Sequence, residues 1–150
     1  MRFLFHGNWL PDHDRYLEDL KLKDAASIQP PVPYDKYLQM LKQSPVLLLV
    51  VSSAHNLLMP SKIVDYFGAA RPIMAFVPRD SEMRHVLEQA GMAEFASDEL
   101  DAEAGASVLG KLWERYQARQ LVCDSGKTQF WSSAVQLPKY VDMVANLKRS

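Results

Sequence analysis

Short apolar runs alternate with amphipathic stretches along most of the chain, and this alternation is typical of β-α-β units with parallel strands. Every position of residues 46–51 is apolar, as expected of a strand in the middle of a sheet with helices on both faces. The other predicted strands are residues 2–6, 26–29, 73–77 and, more weakly, 92–95. The hydrophobic pattern therefore predicts an α/β fold.

Apolar residues at helical spacing mark the segments between these strands. The predicted helices contain Tyr16, Leu17 and Leu20; Tyr37, Leu38 and Leu41; Ile63, Phe67 and Ala70; and residues 81–89. We expect Asp35 to cap the second helix and Gly91 to end the fourth. Strands and helices in this order predict a Rossmann-like open parallel sheet flanked by helices.

From Asp101 to the end the pattern changes to helices with breaks, which predicts a helical C-terminal segment. Its two apolar faces are Val108, Leu109, Leu112, Trp113 and Tyr116, and then Tyr140, Val141, Val144 and Leu147. Together with Phe130 and Trp131, the aromatic residues of this segment are expected to pack in the core or between helices.

Length and charge limit the classes of function. A chain of 150 residues is the usual size of one domain, so we expect residues 1–150 to form a single domain. Its 17 basic and 18 acidic residues give a net charge of -1, which creates no long-range field that would gather nucleic acid. Any phosphate group must therefore be bound by local groups.

The single cysteine, Cys123, excludes an intramolecular disulfide and favours a reducing compartment. The most apolar run, residues 46–51, is too short to cross a bilayer, and the N-terminus lacks the pattern of a signal peptide. We therefore expect no transmembrane segment and a cytoplasmic location.

In open α/β sheets, ligands bind outside the carboxyl ends of the strands. This rule selects residues 6–8, 31–34, 52–62 and 78–80. Pro60 is expected to lie at a helix start, where free backbone N–H groups make an anion site. Ser61 and Lys62 add a hydroxyl and a positive charge that suit a diphosphate, and Asp65, one turn later, can accept hydrogen bonds from ribose hydroxyls. The alternative is a solvated Lys-Asp pair on an amphipathic helix.

The stretch from residue 34 to 78 contains YDKYLQMLKQSPVLLLVV and PSKIVDYFGAARPIMAFVP, and it resembles the C-terminal domain of GT-B-fold glycosyltransferases of the family 4 type. Val32, Pro33, Tyr34 and residues 60–72 match the family pattern in order and spacing, and a looser similarity extends over residues 2–116. The resemblance implies the C-terminal half of a GT-B fold.

Carried over by position, the resemblance implies a nucleotide-sugar site in which Asp65 holds the donor ribose. Ser61 and Lys62 would lie near the diphosphate, Gly7 would let the phosphates approach, and the turn from Val32 to Tyr34 would lie near the base. Two positions depart from the family pattern: Asp65 replaces the usual glutamate, and Leu57 stands where the first of two acidic residues is frequent.

The implied activity is transfer of a sugar from a nucleotide diphosphate sugar to an acceptor, with retention of configuration and without a metal or other cofactor. The sequence contains no Asp-x-Asp and no His/Cys/Asp cluster at ligand spacing. No residue is assigned as catalytic. The implied partners are the nucleotide sugar and an N-terminal acceptor-binding domain, without which we expect the chain to be inactive.

Three alternatives remain open at this point. One is a nucleotide-binding module without catalysis, in which Leu57 records the loss of the sugar site. A second is half of a nucleotide-sugar epimerase of the same fold. A third, a receiver-like or other flavodoxin-type domain, is disfavoured because the chain lacks an acidic cluster after its first strand.

Overall fold

The computed structural model describes residues 2–8, 12–55, 57 and 59–147. It confirms the α/β prediction: the strands are parallel and lie in open sheets flanked by helices, as in Rossmann-like folds. The chain divides into two compact units, Met1–Gln39 and Met40–Ser150. Each unit contains one sheet and is described by itself below.

The first unit contains a two-stranded parallel sheet of β1 (Phe3–His6) and β2 (Ala26–Gln29), in which Phe3 is opposite Ala26. Helix α1 (Asp12–Asp19) connects the strands. Helix α2 (Tyr34–Gln43) follows, and the division between the units falls within it. The helix begins at Tyr34, so the expected cap at Asp35 was wrong, and Asp35 lies in the first turn instead.

The second unit contains a three-stranded parallel sheet in the order β3 (Leu47–Val50), β4 (Ile73–Phe76) and β5 (Ala96–Ser97). The helices α3 (Lys62–Ala69) and α4 (Glu82–Gln89) connect these strands. After β5 come α5 (Ala102–Gln117), the short α6 (Ser125–Thr128) and α7 (Ser133–Leu147). The order of elements is the one that the hydrophobic pattern predicts.

The middle of this sheet is β4 rather than β3, contrary to the prediction from residues 46–51. Strand β3 lies at an edge, and the side chain of Val50 is 55% exposed. The core forms around β4, because its side chains are covered on both faces of the sheet. The largest fully buried side chains are Leu49, Ile63, Ile73, Met83, Leu87, Leu112, Val77 and Val86.

Local signals in the sequence set both ends of α4. The Ser81 Oγ accepts a hydrogen bond from the Arg84 N–H at 3.2 Å and caps α4, and Gly91 ends that helix region at a φ of 69°. The strand predicted at residues 92–95 was wrong, since Ala93–Phe95 form a 3-10 turn. The strand β5 begins one residue later, because Phe95 packs as a buried turn residue before the backbone extends.

The C-terminal helices bury less apolar surface than their pattern predicts. On α5, Val108 and Leu112 are buried, whereas Trp113 and Tyr116 are 42% and 51% exposed and stack on each other at 5.8 Å. Phe130 is also exposed, so these three aromatic residues do not lie in the core, which was one of the two placements expected for them. On α7, the side chains of Tyr140, Val141 and Val144 are at least half exposed. Within the described residues, no helix is long and apolar enough to span a membrane.

Candidate functional site

The candidate site lies at the carboxyl ends of β3, β4 and β5. Because the three strands are parallel, these ends meet at one edge of the sheet, and the segments after them lie next to one another. Residues 51–61 lead from β3 into α3, residues 77–81 lead from β4 into α4, and residues 98–101 lead from β5 into α5. Of the six predicted site residues, Ser61 lies in the first of these segments, and Lys62 and Asp65 follow it in α3.

Helix α3 begins at Lys62, two residues after Pro60. Its first turn is tight: the Ile63 N–H donates to the Pro60 carbonyl at 3.0 Å, and the Val64 N–H donates to the Ser61 carbonyl at 3.3 Å. The Ser61 backbone is already helical and its hydroxyl does not cap the helix. The anion site predicted here therefore depends on the Ser61 and Lys62 N–H groups, because the next two donors are engaged within the turn.

Lys62 lies on the exposed side of α3, yet the surrounding protein removes part of the water around its ammonium group. This desolvation lowers the pKa of Lys62, because burial disfavours the charged form. A partly dehydrated ammonium group gains more from a bound anion than a fully solvated one does. The position thus suits contact with a phosphate group.

Asp65 and Tyr66 lie side by side one turn into α3. Burial and, secondarily, the negative charge of Asp65 raise the pKa of the Tyr66 phenol. The Tyr66 hydroxyl donates a hydrogen bond to the Leu48 carbonyl at 3.0 Å, which ties α3 to β3. Tyr66 was not predicted as a positioning residue, although its place beside Asp65 in the matched motif is a signal that points to it.

The structure places Ser61, Lys62 and Asp65 together, within about one turn of α3. The other three predicted site residues, Gly7, Val32 and Tyr34, belong to the first unit. The Gly7 N–H donates to the Gln29 carbonyl at 3.2 Å, so this amide continues the ladder of β1 and β2. Val32 is half-buried in the loop before α2.

Tyr34 is the first residue of α2, and its side chain is 63% exposed. Its ring lies 6.0 Å from the ring of Tyr37, at a tilt of 31° between the planes. The turn from Val32 to Tyr34 therefore presents an exposed aromatic ring, a feature compatible with contact to a base.

Two carboxylates after β5 complete the edge of the three-stranded sheet. Glu99 accepts a hydrogen bond from the Ser53 N–H at 2.6 Å, and Asp98 forms an ion pair with Arg79 at 3.7 Å. We call residues 98–100 the β5 strap. Asp98 and Glu99 were not predicted as site residues, because the last predicted strand ended at Phe95 and left them away from the carboxyl end of a strand.

Two further observations concern the donor sugar and metal ions. The side chain of Leu57, at the position of the family's first acidic residue, is 91% exposed. Among the described residues, no group of three or more His, Cys, Asp or Glu side chains could hold a metal ion. The polar groups considered further are Ser61 before α3, Lys62 and Asp65 on α3, Arg79 after β4, and the strap.

No family model, curated protein or solved structure matches the chain. The resemblance to glycosyltransferases consequently depends on the sequence of residues 32–34 and 60–72. The fold and the position of α3 after the carboxyl end of β3 are structural findings that are independent of that resemblance.

Proposed function

We propose that the chain is the donor-binding domain of a glycosyltransferase and binds a nucleotide diphosphate sugar at the start of α3. The observation that carries this proposal is the grouping of Ser61, Lys62 and Asp65 in one helical turn that follows the carboxyl end of a parallel strand. A hydroxyl, an ammonium group and a carboxylate in that order match a diphosphate followed by a ribose.

In the proposed site, Lys62 and the first N–H groups of α3 contact the diphosphate, and Asp65 accepts hydrogen bonds from the ribose hydroxyls. During transfer, the acceptor oxygen forms a bond to the anomeric carbon on the face from which the diphosphate leaves, while the bond from that carbon to the diphosphate breaks. The acceptor's hydroxyl proton leaves to the departing phosphate or to water. Lys62 and the helix start stabilise the charge that develops on the leaving diphosphate.

The acceptor and the groups that position it belong, in this proposal, to a second domain that precedes the chain in a complete enzyme. The transfer is proposed to retain configuration and to need no metal, as the resemblance implies. The chain is expected to bind the donor and to be inactive by itself, since an acceptor-binding half is required to complete the cleft.

Titration of UDP, GDP, dTDP and ADP into the purified chain tests the proposal, with binding followed by calorimetry. We expect one nucleotide to bind, and Asp65→Ala to weaken it by about fivefold or more, which corresponds to about 1 kcal/mol for a lost hydrogen bond to a charged group. The matched control is Asp142→Ala, which removes the same charge from an exposed position on α7.

Circular dichroism must show that both variants fold as the parent chain does. Equal losses of nucleotide affinity in Asp65→Ala and Asp142→Ala would point to a general effect of charge and would contradict the proposal. An absence of binding for all four nucleotides by a folded chain would also contradict it.

A second candidate is a nucleotide-binding module without catalysis, and one observation favours it. Leu57 supplies an exposed apolar side chain where an acidic group would contact the donor sugar in the family pattern. Comparison of a nucleoside diphosphate with its sugar conjugate separates the two functions. Equal affinities favour the module, whereas tighter binding of the conjugate favours the glycosyltransferase domain.

A further inference from the structure

The β5 strap reaches across the edge of the three-stranded sheet at which the proposed site lies. Its Glu99 carboxylate is bound by the Ser53 N–H at 2.6 Å, and Ser53 lies three residues after the end of β3. Since β4 lies between β3 and β5, this hydrogen bond joins the segments that follow the two outer strands of the sheet. The strap is therefore tied to the segment after β3 at the carboxyl ends of the strands.

Asp98 holds the strap in place from its other end. One carboxylate oxygen of Asp98 accepts from the Leu100 N–H at 3.2 Å, and the other lies 3.7 Å from the guanidinium of Arg79. The first residue after the strap, Asp101, caps α5 by accepting from the Ala104 N–H at 2.8 Å. The strap is thus a short, braced turn between β5 and α5, and its two carboxylates engage donors that follow β3 and β4.

The donors that the strap engages are the kind that bind phosphate. A backbone N–H group and a guanidinium at the carboxyl ends of parallel strands are suited to an anionic ligand. In this conformation both donors are engaged by carboxylates of the chain itself. Both contacts are exposed to solvent, since Ser53 is exposed and the Arg79 side chain is 72% exposed, so a ligand can reach them.

We propose that the β5 strap is an internal competitor for anions: the Glu99 carboxylate occupies the Ser53 N–H, and a diphosphate must displace it to bind at this edge. The inference rests on the proposed function for the identity of the anion as a diphosphate. Removal of the Glu99 charge consequently tightens diphosphate binding, and removal of the whole carboxyl group releases the Ser53 amide.

The first measurement is the affinity for inorganic diphosphate, determined by calorimetry for the parent chain and for Glu99→Gln. The amide side chain of glutamine keeps the size of Glu99 and removes its charge. Glu114→Gln is the matched control, because it makes the same change at an exposed position on α5. We expect Glu99→Gln to bind inorganic diphosphate at least about threefold more tightly than both the parent and the control.

The second measurement is the hydrogen exchange rate of the Ser53 amide in the ligand-free protein, compared between Glu99→Ala and Glu114→Ala by NMR. Faster exchange in Glu99→Ala alone is expected, because that variant removes the acceptor of the Ser53 N–H. Unchanged exchange in Glu99→Ala would contradict the hydrogen bond between Ser53 and Glu99 on which the proposal rests. Faster exchange in Glu99→Ala, together with unchanged or absent diphosphate binding in Glu99→Gln, would contradict the competition between Glu99 and the diphosphate.

A separate titration with the nucleoside diphosphates distinguishes a failure of this inference from a failure of the proposed function. If nucleotide binding depends on Asp65 while Glu99→Gln has no effect on diphosphate affinity, the strap proposal fails and the proposed function stands. If inorganic diphosphate behaves as expected but no nucleotide binds, the strap stands as an anion competitor and the proposed function fails.

Discussion

Tyr66 illustrates how a single side chain links the proposed site to the sheet. The N–H groups of Leu47 and Val51 each donate to a carbonyl on the β4 side at 2.9 Å. Because backbone groups of successive residues point to opposite sides of a strand, those of Leu48 point away from β4. The Tyr66 hydroxyl donates to that outward Leu48 carbonyl. This bond fixes α3, and with it Asp65, against the edge strand.

Tyr66→Phe is expected to lower the free energy of unfolding by about 1 kcal/mol at pH 7, because the Leu48 carbonyl loses its donor. The pKa of Tyr66 is raised in the folded chain, so the phenol keeps its proton there at a pH at which the unfolded chain loses it. The contribution of the Tyr66 phenol to the free energy of unfolding is therefore complete below the ordinary pKa of about 10, and it is lost as the pH rises through the raised pKa of the folded chain. Urea denaturation at pH 7 and at about pH 10.5 measures both effects.

Tyr140→Phe is the control for this prediction, since the Tyr140 side chain on α7 is 60% exposed. The difference in stability between the parent chain and Tyr66→Phe should shrink at the higher pH, and the Tyr140 variant should show little loss at either pH. A loss in Tyr66→Phe that is the same at both pH values would contradict the assigned direction of the pKa shift.

The residues on α3 could be predicted from sequence because helical spacing fixes which side chains share a turn. Ser61, Lys62 and Asp65 were placed together on that basis, and the structure places them together. The state of the backbone donors could not be predicted in this way. Whether the Ile63 and Val64 N–H groups are free depends on a tight first turn that side-chain pattern does not report.

At the scale of elements, strands β1 to β4 were predicted to within one residue at each end, and the shortest strand, β5, was not. Strand β4 was predicted within one residue because every position of it is apolar. Strand β5 has only two residues, Ala96 and Ser97, whose types carry no strand signal. The apolar residues just before it instead form a turn, and this error of a few residues moved Asp98 and Glu99 off the ligand edge.

Helix α5 contains two glycines whose surroundings differ, and they allow a matched test of packing against β4. A Cβ atom at Gly105 would lie 2.7 Å from Cε1 of Phe76, whereas a Cβ atom at Gly110 would meet nothing within 4 Å. A side chain at position 105 therefore requires the Phe76 ring or α5 to shift, whereas a side chain at position 110 does not.

We expect Gly105→Ala to destabilise the chain by roughly 1 kcal/mol, because overpacking of about 1–3 kcal/mol exceeds the gain of up to about 1 kcal/mol in helix propensity. Gly110→Ala gains helix propensity without overpacking, so it should raise the free energy of unfolding by about 0.5–1 kcal/mol. Chemical denaturation of both variants measures these changes. Stabilisation of similar size in both would show that the Phe76 ring moves aside without cost and would contradict the assigned packing.

At the scale of the whole molecule, apolar burial is concentrated in the second unit. In residues 2–8 and 12–39 of the first unit, Ala26 is the only buried apolar residue, whereas β4 contributes Ile73, Met74 and Ala75 at 3% exposure or less. The sequence could not show this difference, because residues 2–6 and 73–77 have similar apolar patterns and burial depends on what packs against them.

This distribution predicts that β1 and β2 open more easily than β4. Hydrogen bonds alone leave a two-stranded sheet marginally stable, and the apolar burial that would reinforce it is small in the first unit. Native-state hydrogen exchange at low urea measures the opening free energy of each amide. The amides of Phe3 and Gly7 donate to carbonyls on the β2 side. We expect their opening free energies to be lower than those of the Val51 and Val77 amides by on the order of 2 kcal/mol or more.

The dependence on urea distinguishes local from global opening. Val51 and Val77 donate to carbonyls of neighbouring strands in the buried sheet, so their exchange should require global unfolding and should depend steeply on urea. Exchange at Phe3 and Gly7 should depend on urea only weakly, because little surface is exposed when two strands separate. Equal opening free energies and equal urea dependence for all four amides would instead mean that both units unfold in one cooperative step. The proposed site would then share the stability of the whole chain, and ligand binding at α3 would protect β1 and β2 as strongly as β4.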